Sequence, residues 1–181
     1  MEFIKTKLAG CYIIEPKVFK DERGYFFESF NQKQFEKNTN QSINFVQDNV
    51  SKSTYGVLRG LHFQDGKHAQ AKLVSVSKGK VLDVAVDLRK DSKTFGQSVK
   101  VVLSAKNKKQ MFIPRGFAHG FIVLSKKAVF RYKCDNFYNK NSEKGLNYKG
   151  LGIDWLIDEK DISINKRDST LPFLKEYQVN V

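Results

Sequence analysis

Short apolar segments with strict two-residue alternation dominate the middle of the chain. Residues 72–76 and 81–88 flank the polar turn Ser77-Lys78-Gly79-Lys80, a pattern typical of a β-hairpin. Within the second segment, one face carries Leu82, Val84, Val86 and Leu88, and the other carries Val81, Asp83, Ala85 and Asp87. Similar stretches cover 97–104, 111–113, 119–124 and 128–134. Many short strands separated by turns predict an all-β sandwich or barrel with a few short helices, such as 31–37 and 158–161.

The length and composition predict one globular domain over residues 1–181. A hydrophobic content of 40% in 181 residues is enough for a substantial core. No apolar run reaches the length of a membrane span, and the first residues lack the apolar region of a signal peptide, so we expect no membrane partner. Cys11 and Cys134 are far apart and belong to no Cys-x-x-Cys pair, which favours free thiols in a reducing cytoplasm. Cys134 lies in an apolar alternation and is expected in the core.

The net charge of +13 raises the alternative of a nucleic-acid-binding β-barrel. Arginine accounts for six of the 32 basic residues, and the lysines are scattered along the chain. Scattered lysines indicate a solvated surface more than a stripe that follows phosphates, and the aromatic residues alternate into apolar strand faces. We therefore expect no nucleic-acid partner, although the charge would steer an anionic small substrate.

The stretch Val57-Leu58-Arg59-Gly60-Leu61-His62-Phe63-Gln64 reads as a strand that carries functional side chains. Regular alternation would point Arg59 and His62 to opposite faces. A glycine inside a strand often marks a bulge. We therefore predict an irregularity at Gly60 that lets Arg59 and His62 face one cavity.

The three histidines show no metal-ligand spacing. His62 lies in Leu-His-Phe rather than His-x-His, His68 lies in a polar segment expected to be a loop, and His119 is far along the chain, so we predict no metal and no cofactor. His62 is then free to act as an acid or base. His119 alone reads equally well as a capping residue of the turn that precedes it. Tyr132 shares an inward face with apolar neighbours, where its hydroxyl needs a partner from the core or a substrate.

An ordered set of motifs resembles the dTDP-4-dehydrorhamnose 3,5-epimerase family. They cover nearly the whole chain: DERGYFFE at 21–28, QDNVS at 47–51, GVLRGLHFQ at 56–64, KLV at 72–74, VAVDLR at 84–89, TFGQ at 94–97, IPRGFAHGF at 113–121 and IDW at 153–155. The resemblance implies a cupin-type jelly-roll barrel without metal, usually a homodimer. It also implies inversion of C3 and C5 in a nucleotide-linked 4-keto-6-deoxy sugar, most simply dTDP-4-dehydro-6-deoxyglucose. Alternatives are a C3-only epimerase, or one acting on a GDP-linked keto sugar or a heptose.

The resemblance also implies roles for individual residues. His62 corresponds to the general base, Tyr132 to the proton donor on the other sugar face, Asp168 to the partner of the histidine and Lys72 to the group beside the C4 oxygen. Asp168 is preferred to the nearby Asp161 because Pro172-Phe173-Leu174 follows at the family's spacing. The matching substrate-binding positions are Arg23, Phe26, Glu28, Gln47, Asn49, Arg59, His119, Tyr138, Glu143 and Arg167, of which Tyr138 corresponds to the aromatic that stacks on the base.

Overall fold

The computed structural model describes residues 1–179, and side chains as far as residue 177. Its strands are β1 (Glu2–Lys5), β2 (Tyr12–Glu15), β3 (Val18–Asp21), β4 (Gly24–Phe27), β5 (Gln47–Thr54), β6 (Leu58–Gln64), β7 (Lys72–Lys78), β8 (Lys80–Asp87), β9 (Ser98–Ser104), β10 (Gln110–Ile113), β11 (Phe117–Val123), β12 (Lys127–Cys134) and β13 (Glu143–Gly145). Its α-helices are α1 (Gln32–Thr39), α2 (Lys166–Ser169) and α3 (Leu174–Val179). Single 3-10 turns lie at Gly66–His68, Lys140–Ser142 and Glu159–Asp161.

Two antiparallel sheets make up the barrel. One has the strand order β1-β2-β10-β7-β12-β5, the other β13-β6-β11-β8-β9, and β3 and β4 form a separate hairpin. Successive strands repeatedly change sheets, as in a jelly roll. The predicted cupin-type jelly roll with few short helices is confirmed.

The core fills the space between the two sheets and follows the alternation of the sequence. Val81 and Ala85 of β8 pack inward with residues of β7, β11 and β12, including Val74, Phe121 and Phe130. Leu82, Val84, Val86 and Leu88 pack on the outer side, beneath the segment that follows β13. Both faces of β8 are therefore covered. The two rows of side chains lie on the opposite faces to which the sequence assigned them.

A short helix covers part of the outer face of the six-stranded sheet. Asn31 caps α1 by accepting a hydrogen bond from the Gln34 backbone, and Asn40 ends it with a left-handed φ of 54°. Phe35 of α1 is buried against Phe112 at a ring-centroid distance of 4.8 Å. The helix predicted at 31–37 is therefore present, shifted by one residue at its start and two at its end.

The structure differs from the sequence expectation at some strand boundaries. β11 begins at Phe117, two residues before the predicted stretch, and β1 to β5 and β13 lie outside the stretches predicted as strands. β11 pairs with β8 over its full length, from Phe117 to Val123. Among the helices of residues 1–179, none has the length and apolar character needed to cross a membrane.

Candidate active site

Gly60 interrupts the regular pairing of β6 with β11. His62 pairs with His119 and Arg59 pairs with Phe121, so that β6 advances three residues where β11 advances two. The extra residue reverses the alternation of side chains. Gly60 has a φ of 114°, and a Cβ atom there would lie 2.7 Å from the backbone of Gly120. The predicted irregularity is confirmed. The close approach of the Gly120 backbone explains why a residue with a side chain does not fit at position 60.

The bulge directs His62 into a cavity of about 110 Å³ at one end of the barrel. Its lining is made of Gln47, Asn49, His62, Phe63, Gln64, Gln70, Lys72, Tyr132, Cys134, Tyr138 and Glu143. Arg59, which we expected in the same cavity, is not among these residues; its Nε donates to Ser53 Oγ at 3.0 Å. The Arg59 guanidinium nevertheless lies close enough to Tyr132 to oppose the rise that burial causes in the pKa of that phenol. Arg59 therefore lies beside the cavity rather than in its lining.

Asp168 anchors His62 from behind. Its Oδ1 lies 2.8 Å from His62 Nε2, and its Oδ2 accepts a hydrogen bond from the Gly60 backbone at 3.1 Å. Asn165 caps α2 and fixes the backbone of Asp168. Burial alone would raise the pKa of Asp168, but the hydrogen bonds of His62 and Gly60 outweigh burial and hold this pKa below its ordinary value. A negatively charged Asp168 is thus positioned to orient the imidazole and to stabilise its protonated form.

Lys72 and Tyr132 occupy the opposite wall, on the six-stranded sheet. Lys72 Nζ lies 5.9 Å from the centre of the Tyr132 ring. Burial lowers the pKa of Lys72, although the nearby Cys134, Glu143 and Asp83 oppose the change. Burial, followed by the effect of Cys134, raises the pKa of Tyr132. An ammonium group that gives up its proton more readily therefore lies beside a phenol that retains its own.

Polar side chains from three segments meet at the rim. Tyr138 Oη donates to Glu143 Oε2 at 2.7 Å, and the Arg167 guanidinium reaches the same oxygen at 2.8 Å. Burial would raise the pKa of Glu143, but the contacts with Tyr138 and Arg167 hold it below its ordinary value. Gln47 accepts a hydrogen bond from the Tyr138 backbone at 3.1 Å. The ring of Tyr138 remains about half exposed and is accessible to a planar ligand.

Cys134 belongs to the cavity as well as to the core. It is buried, as predicted, yet its thiol lies in the lining and accepts a weak contact from Asn49 Nδ2 at 3.9 Å. Burial raises its pKa to about 11, so the thiol is neutral at physiological pH. Strand alternation from Tyr132 indicates the inward direction of Cys134, which is the signal that would have placed it in the site.

A second histidine–aspartate pair lies outside the cavity lining. His119 Nε2 lies 2.8 Å from Asp83 Oδ1, and both side chains are buried. The His119 ring stacks on Phe130 at a centroid distance of 5.9 Å. His119, which we expected among the substrate-binding residues, therefore lies behind the wall. Asp83 was given no role from the sequence, although a charged residue between Val81 and Ala85 on an apolar face marks it as unusual.

Three of the expected binding residues lie away from the cavity. Arg23 is in the turn between β3 and β4 and pairs with Asp21, while Phe26 in β4 is 69% exposed. Glu28 follows β4 and accepts a hydrogen bond from Asn31. None of the three borders the cavity in the chain as described, so one copy of the chain does not bring the whole expected set together.

A larger cleft of about 270 Å³ lies beneath the β3–β4 hairpin and shares Asn49 and Tyr132 with the cavity. It contains Asp48 but no histidine. Within residues 1–179, no three or more His, Cys, Asp or Glu side chains come together as a metal site. The cavity at His62 thus combines the titratable groups most suited to proton transfer.

Comparison with known proteins gives the same family. The model of the dTDP-4-dehydrorhamnose 3,5-epimerase family matches residues 5–176. A dTDP-4-dehydrorhamnose 3,5-epimerase of Shigella flexneri is 55% identical over 173 residues, covering 92% of this chain and 96% of the relative. The crystal structure of the corresponding Elizabethkingia anophelis protein is 59% identical, covers 97% of both chains and has a TM-score of 0.94.

A third comparison includes a bound ligand. The Legionella pneumophila dTDP-6-deoxy-D-glucose-3,5-epimerase, solved in complex with dTDP-4-keto-L-rhamnose, is 48% identical with a TM-score of 0.91. It covers 96% of this chain, which covers 93% of that structure. With the matches above, this similarity over nearly the full length shows that the chain belongs to the dTDP-4-dehydrorhamnose 3,5-epimerase family.

Proposed function

We propose that this chain inverts C3 and C5 of dTDP-4-dehydro-6-deoxyglucose to give dTDP-4-dehydrorhamnose, by proton transfer without a cofactor. The observation that carries the proposal is that His62 and Tyr132 line one cavity from opposite sheets, with Asp168 behind His62 and Lys72 beside Tyr132. The names of the relatives and the keto sugar bound to the Legionella structure support the same activity.

His62 is the base in this mechanism. The C–H bonds at C3 and C5 are acidic because each is adjacent to the C4 ketone, and imidazole is a suitable base near neutral pH. When His62 takes a proton it becomes a cation, and the Asp168 carboxylate at 2.8 Å stabilises that cation. Since His62 keeps partial contact with solvent, it can release each proton before the next abstraction.

Lys72 stabilises the enolate and Tyr132 completes the inversion. Loss of the proton places negative charge on the C4 oxygen, where the Lys72 ammonium group acts as a hydrogen-bond donor. Inversion needs a new proton from the face opposite His62, and Tyr132 supplies it. The raised pKa of Tyr132 keeps the phenol protonated until the enolate forms.

The nucleotide part of the substrate occupies the rim. The exposed face of Tyr138 is suited to stacking on a base, while Arg167 and Arg59 supply guanidinium groups for a diphosphate. Gln47, Asn49 and Glu143 provide hydrogen-bonding groups around the sugar. The net charge of +13 attracts the anionic substrate from a distance.

Exchange with solvent deuterium tests this function. Wild-type enzyme in D2O should place deuterium at both C3 and C5 of the keto sugar, as read by NMR and mass spectrometry. His62→Ala should lower exchange at both carbons by about a thousandfold, whereas Tyr132→Phe should retain exchange from the His62 side but lose inversion. His68→Gln, in a surface turn, serves as the control. Deuterium at C3 alone would instead establish a C3-only epimerase.

The proposal includes a homodimer in which each hairpin serves the partner's cavity. It is supported by the exposed aromatic side chains Phe19, Tyr25 and Phe26 of the β3–β4 hairpin, at 53%, 61% and 69% exposure, and by Val50 of β5 at 64%. Such a cluster favours contact with another protein surface. In such a dimer, Arg23, Phe26 and Glu28 of one copy contact the substrate in the cavity of the other copy. These three residues do not border the cavity of their own copy.

Mixing two inactive variants tests the dimer. Arg23→Ala and His62→Ala, each nearly inactive alone, should regain activity when unfolded together and refolded, because a mixed dimer contains one complete site. Light scattering should give twice the mass of the 20.8 kDa chain. A monomer, or no recovery on mixing, contradicts this arrangement. Mixing His62→Ala with Asp168→Asn is the control, since both changes affect the same copy's cavity wall and no intact site forms.

We also place the enzyme in the cytoplasm, as one domain that acts without metal or nucleic acid. The support is that Cys11 and Cys134 are free and buried, which suits a reducing compartment. Unchanged turnover in excess chelator is the expected result.

A further inference from the structure

Two glutamines line the cavity without a role in the mechanism above. Gln64 is the last residue of β6, and Gln70 lies two positions before Lys72 at the start of β7. Gln64 is 5% exposed, and Gln70 is half-buried. Because side chains two positions apart in a strand point the same way, Gln64 projects to the same side as His62. Both glutamines therefore border the space next to groups that we assign to proton transfer.

Each glutamine is fastened by one end of its amide to the segment that carries Tyr138. Oε1 of Gln64 accepts a hydrogen bond from the Asn139 backbone at 2.8 Å. Nε2 of Gln70 donates to the Asn136 carbonyl oxygen, also at 2.8 Å. These partners determine the orientation of each amide, since a backbone N–H only donates and a carbonyl oxygen only accepts. The two glutamines therefore present opposite ends of their amides to this segment.

The other end of each amide is available to a ligand. Within the described part of the chain, no group forms a hydrogen bond with Nε2 of Gln64 or with Oε1 of Gln70. Neither atom is fully enclosed, because Asp83 Oδ2 is the one enclosed side-chain oxygen or nitrogen without a partner among the described residues. Since both glutamines line the cavity, it presents one free donor, from Gln64, and one free acceptor, from Gln70.

A hydroxyl group matches this combination of donor and acceptor. It accepts from an amide N–H and donates to an amide oxygen at the same time, whereas a ketone or phosphate oxygen only accepts. The sugar ring of the proposed substrate carries hydroxyl groups on C2 and C3. Inversion moves the C3 hydroxyl to the other side of the ring, while C2 keeps its configuration throughout. Amides fastened to the backbone suit a hydroxyl that stays in place, which is the one on C2.

The position of the glutamines along the cavity agrees with C2. In the proposed function the nucleotide lies at the rim with Tyr138, and His62 acts on C3 and C5. C2 lies between these two regions because it is bonded to C1, which carries the diphosphate. Two residues of a strand span about 7 Å, so Gln64 lies about one sugar ring from His62 along β6. Its bond to Asn139, next to Tyr138, shows that Gln64 lies on the rim side of His62.

Resting on the proposed function, we propose that Gln64 and Gln70 form a subsite for the C2 hydroxyl of the hexose. Nε2 of Gln64 donates to the hydroxyl oxygen, and the hydroxyl donates to Oε1 of Gln70. The two contacts hold the ring while C3 and C5 change configuration, and they make the enzyme specific for 2-hydroxy sugars. A 2-deoxy sugar would leave both amide groups unpaired beneath it, so the site discriminates against that sugar.

The test compares the dTDP-linked 4-keto-6-deoxy sugar with and without its C2 hydroxyl. For the wild type, we expect kcat/KM to be lower by about thirtyfold or more for the 2-deoxy sugar. Gln64→Met and Gln70→Met keep a side chain of similar length but remove the amide. In each variant, the ratio of kcat/KM between the two sugars should fall by at least about threefold. A purely structural role would lower turnover of both sugars alike and leave the ratio unchanged.

Gln110→Met is the matched control. Gln110 is also 5% exposed and also donates from Nε2 to a backbone carbonyl oxygen, that of Ser29. It lines the larger cleft beneath the β3–β4 hairpin and not the cavity at His62, so its replacement should keep the wild-type ratio.

The wild type alone can overturn the subsite, because the comparison of the two sugars needs no variant. Equal turnover of both sugars by the wild type overturns it, as does a wild-type ratio in folded Gln64→Met and Gln70→Met. Either result leaves the proposed function intact, since the 2-hydroxy sugar is still inverted. If the wild type exchanges neither C3 nor C5 of the 2-hydroxy sugar, the proposed function fails and this inference fails with it.

Discussion

The two histidine–aspartate pairs have the same contact distance but different surroundings. Each joins an Nε2 atom to an Oδ1 atom at 2.8 Å. His62 is 29% exposed and lines the cavity, while His119 is 8% exposed and lies behind it. Asp168 receives a second hydrogen bond from Gly60, whereas the second oxygen of Asp83 has none among the described residues. The pKa of Asp168 is accordingly lowered and that of Asp83 raised.

This difference shows that the surroundings of a pair, and not its composition, decide its chemistry. A carboxylate with two donors remains charged and supports a base that must become a cation. A carboxylate with one donor in a dry interior retains a proton more readily. The pair His62–Asp168 (the outer pair) is therefore suited to accept protons from a substrate. In the pair His119–Asp83 (the inner pair), burial raises the pKa of the Asp83 carboxyl group.

The largest expected effect is on the outer pair. Asp168→Asn removes the charge that stabilises the His62 cation and should lower kcat/KM by about a thousandfold or more, equally for C3 and C5. Steady-state kinetics with NMR detection of both carbons measures this. Asp161→Asn, at the nearby surface, is the matched control and should retain turnover. Unequal losses at C3 and C5 in Asp168→Asn would contradict the assignment of one base to both carbons.

Gly60 connects the two pairs, and its replacement should affect both. Its backbone N–H bonds Asp168, and a Cβ atom there would lie 2.7 Å from the carbonyl oxygen of His119. We expect Gly60→Ala to lower the free energy of unfolding by about 3 kcal/mol or more, as measured by urea denaturation.

Gly66→Ala separates the steric effect from the backbone effect. Gly66 also has a positive φ, of 58°, but a Cβ atom there meets nothing within 4 Å. Its loss should be limited to about 1–2 kcal/mol. Equal losses in Gly60→Ala and Gly66→Ala would show that close approach at Gly60 is unimportant.

The smallest expected effect is an opposite pH dependence of stability. Since the pKa of Asp168 is lowered, its contribution is complete above the ordinary carboxyl pKa near 4 and is lost as the pH falls through the lower folded value. Since the pKa of Asp83 is raised, its contribution is greatest below the ordinary value and declines as the pH rises through the higher folded value.

Urea unfolding between pH 3 and pH 7 measures both trends. On acidification, the free energy of unfolding of the wild type should lose its advantage over that of Asp168→Asn. Over the same pH range, the free energy of unfolding of the wild type should rise relative to that of Asp83→Asn. The same trend in both variants would contradict the contrast between the two pairs.

The sequence by itself determined the strands between residues 57 and 134 and one local irregularity. Two-residue alternation in β8 assigned each side chain to a face, because successive side chains of a strand point in opposite directions. Gly60, between Arg59 and His62, marked the bulge because a glycine permits backbone contacts that a Cβ would block. The ordered motifs indicated the family that the comparisons show.

The tertiary structure decided which of these residues meet. His62 and Asp168 are 106 positions apart, and His119 and Asp83 are 36 apart, so the pairs form only when distant strands and α2 come together. Only the packed chain separates the cavity lining from the buried pair and leaves Arg23 and Phe26 on an exposed hairpin. The physical reason is that burial and hydrogen-bond partners, which set the charge of each carboxyl group, are properties of three-dimensional surroundings that alternation along one strand does not define.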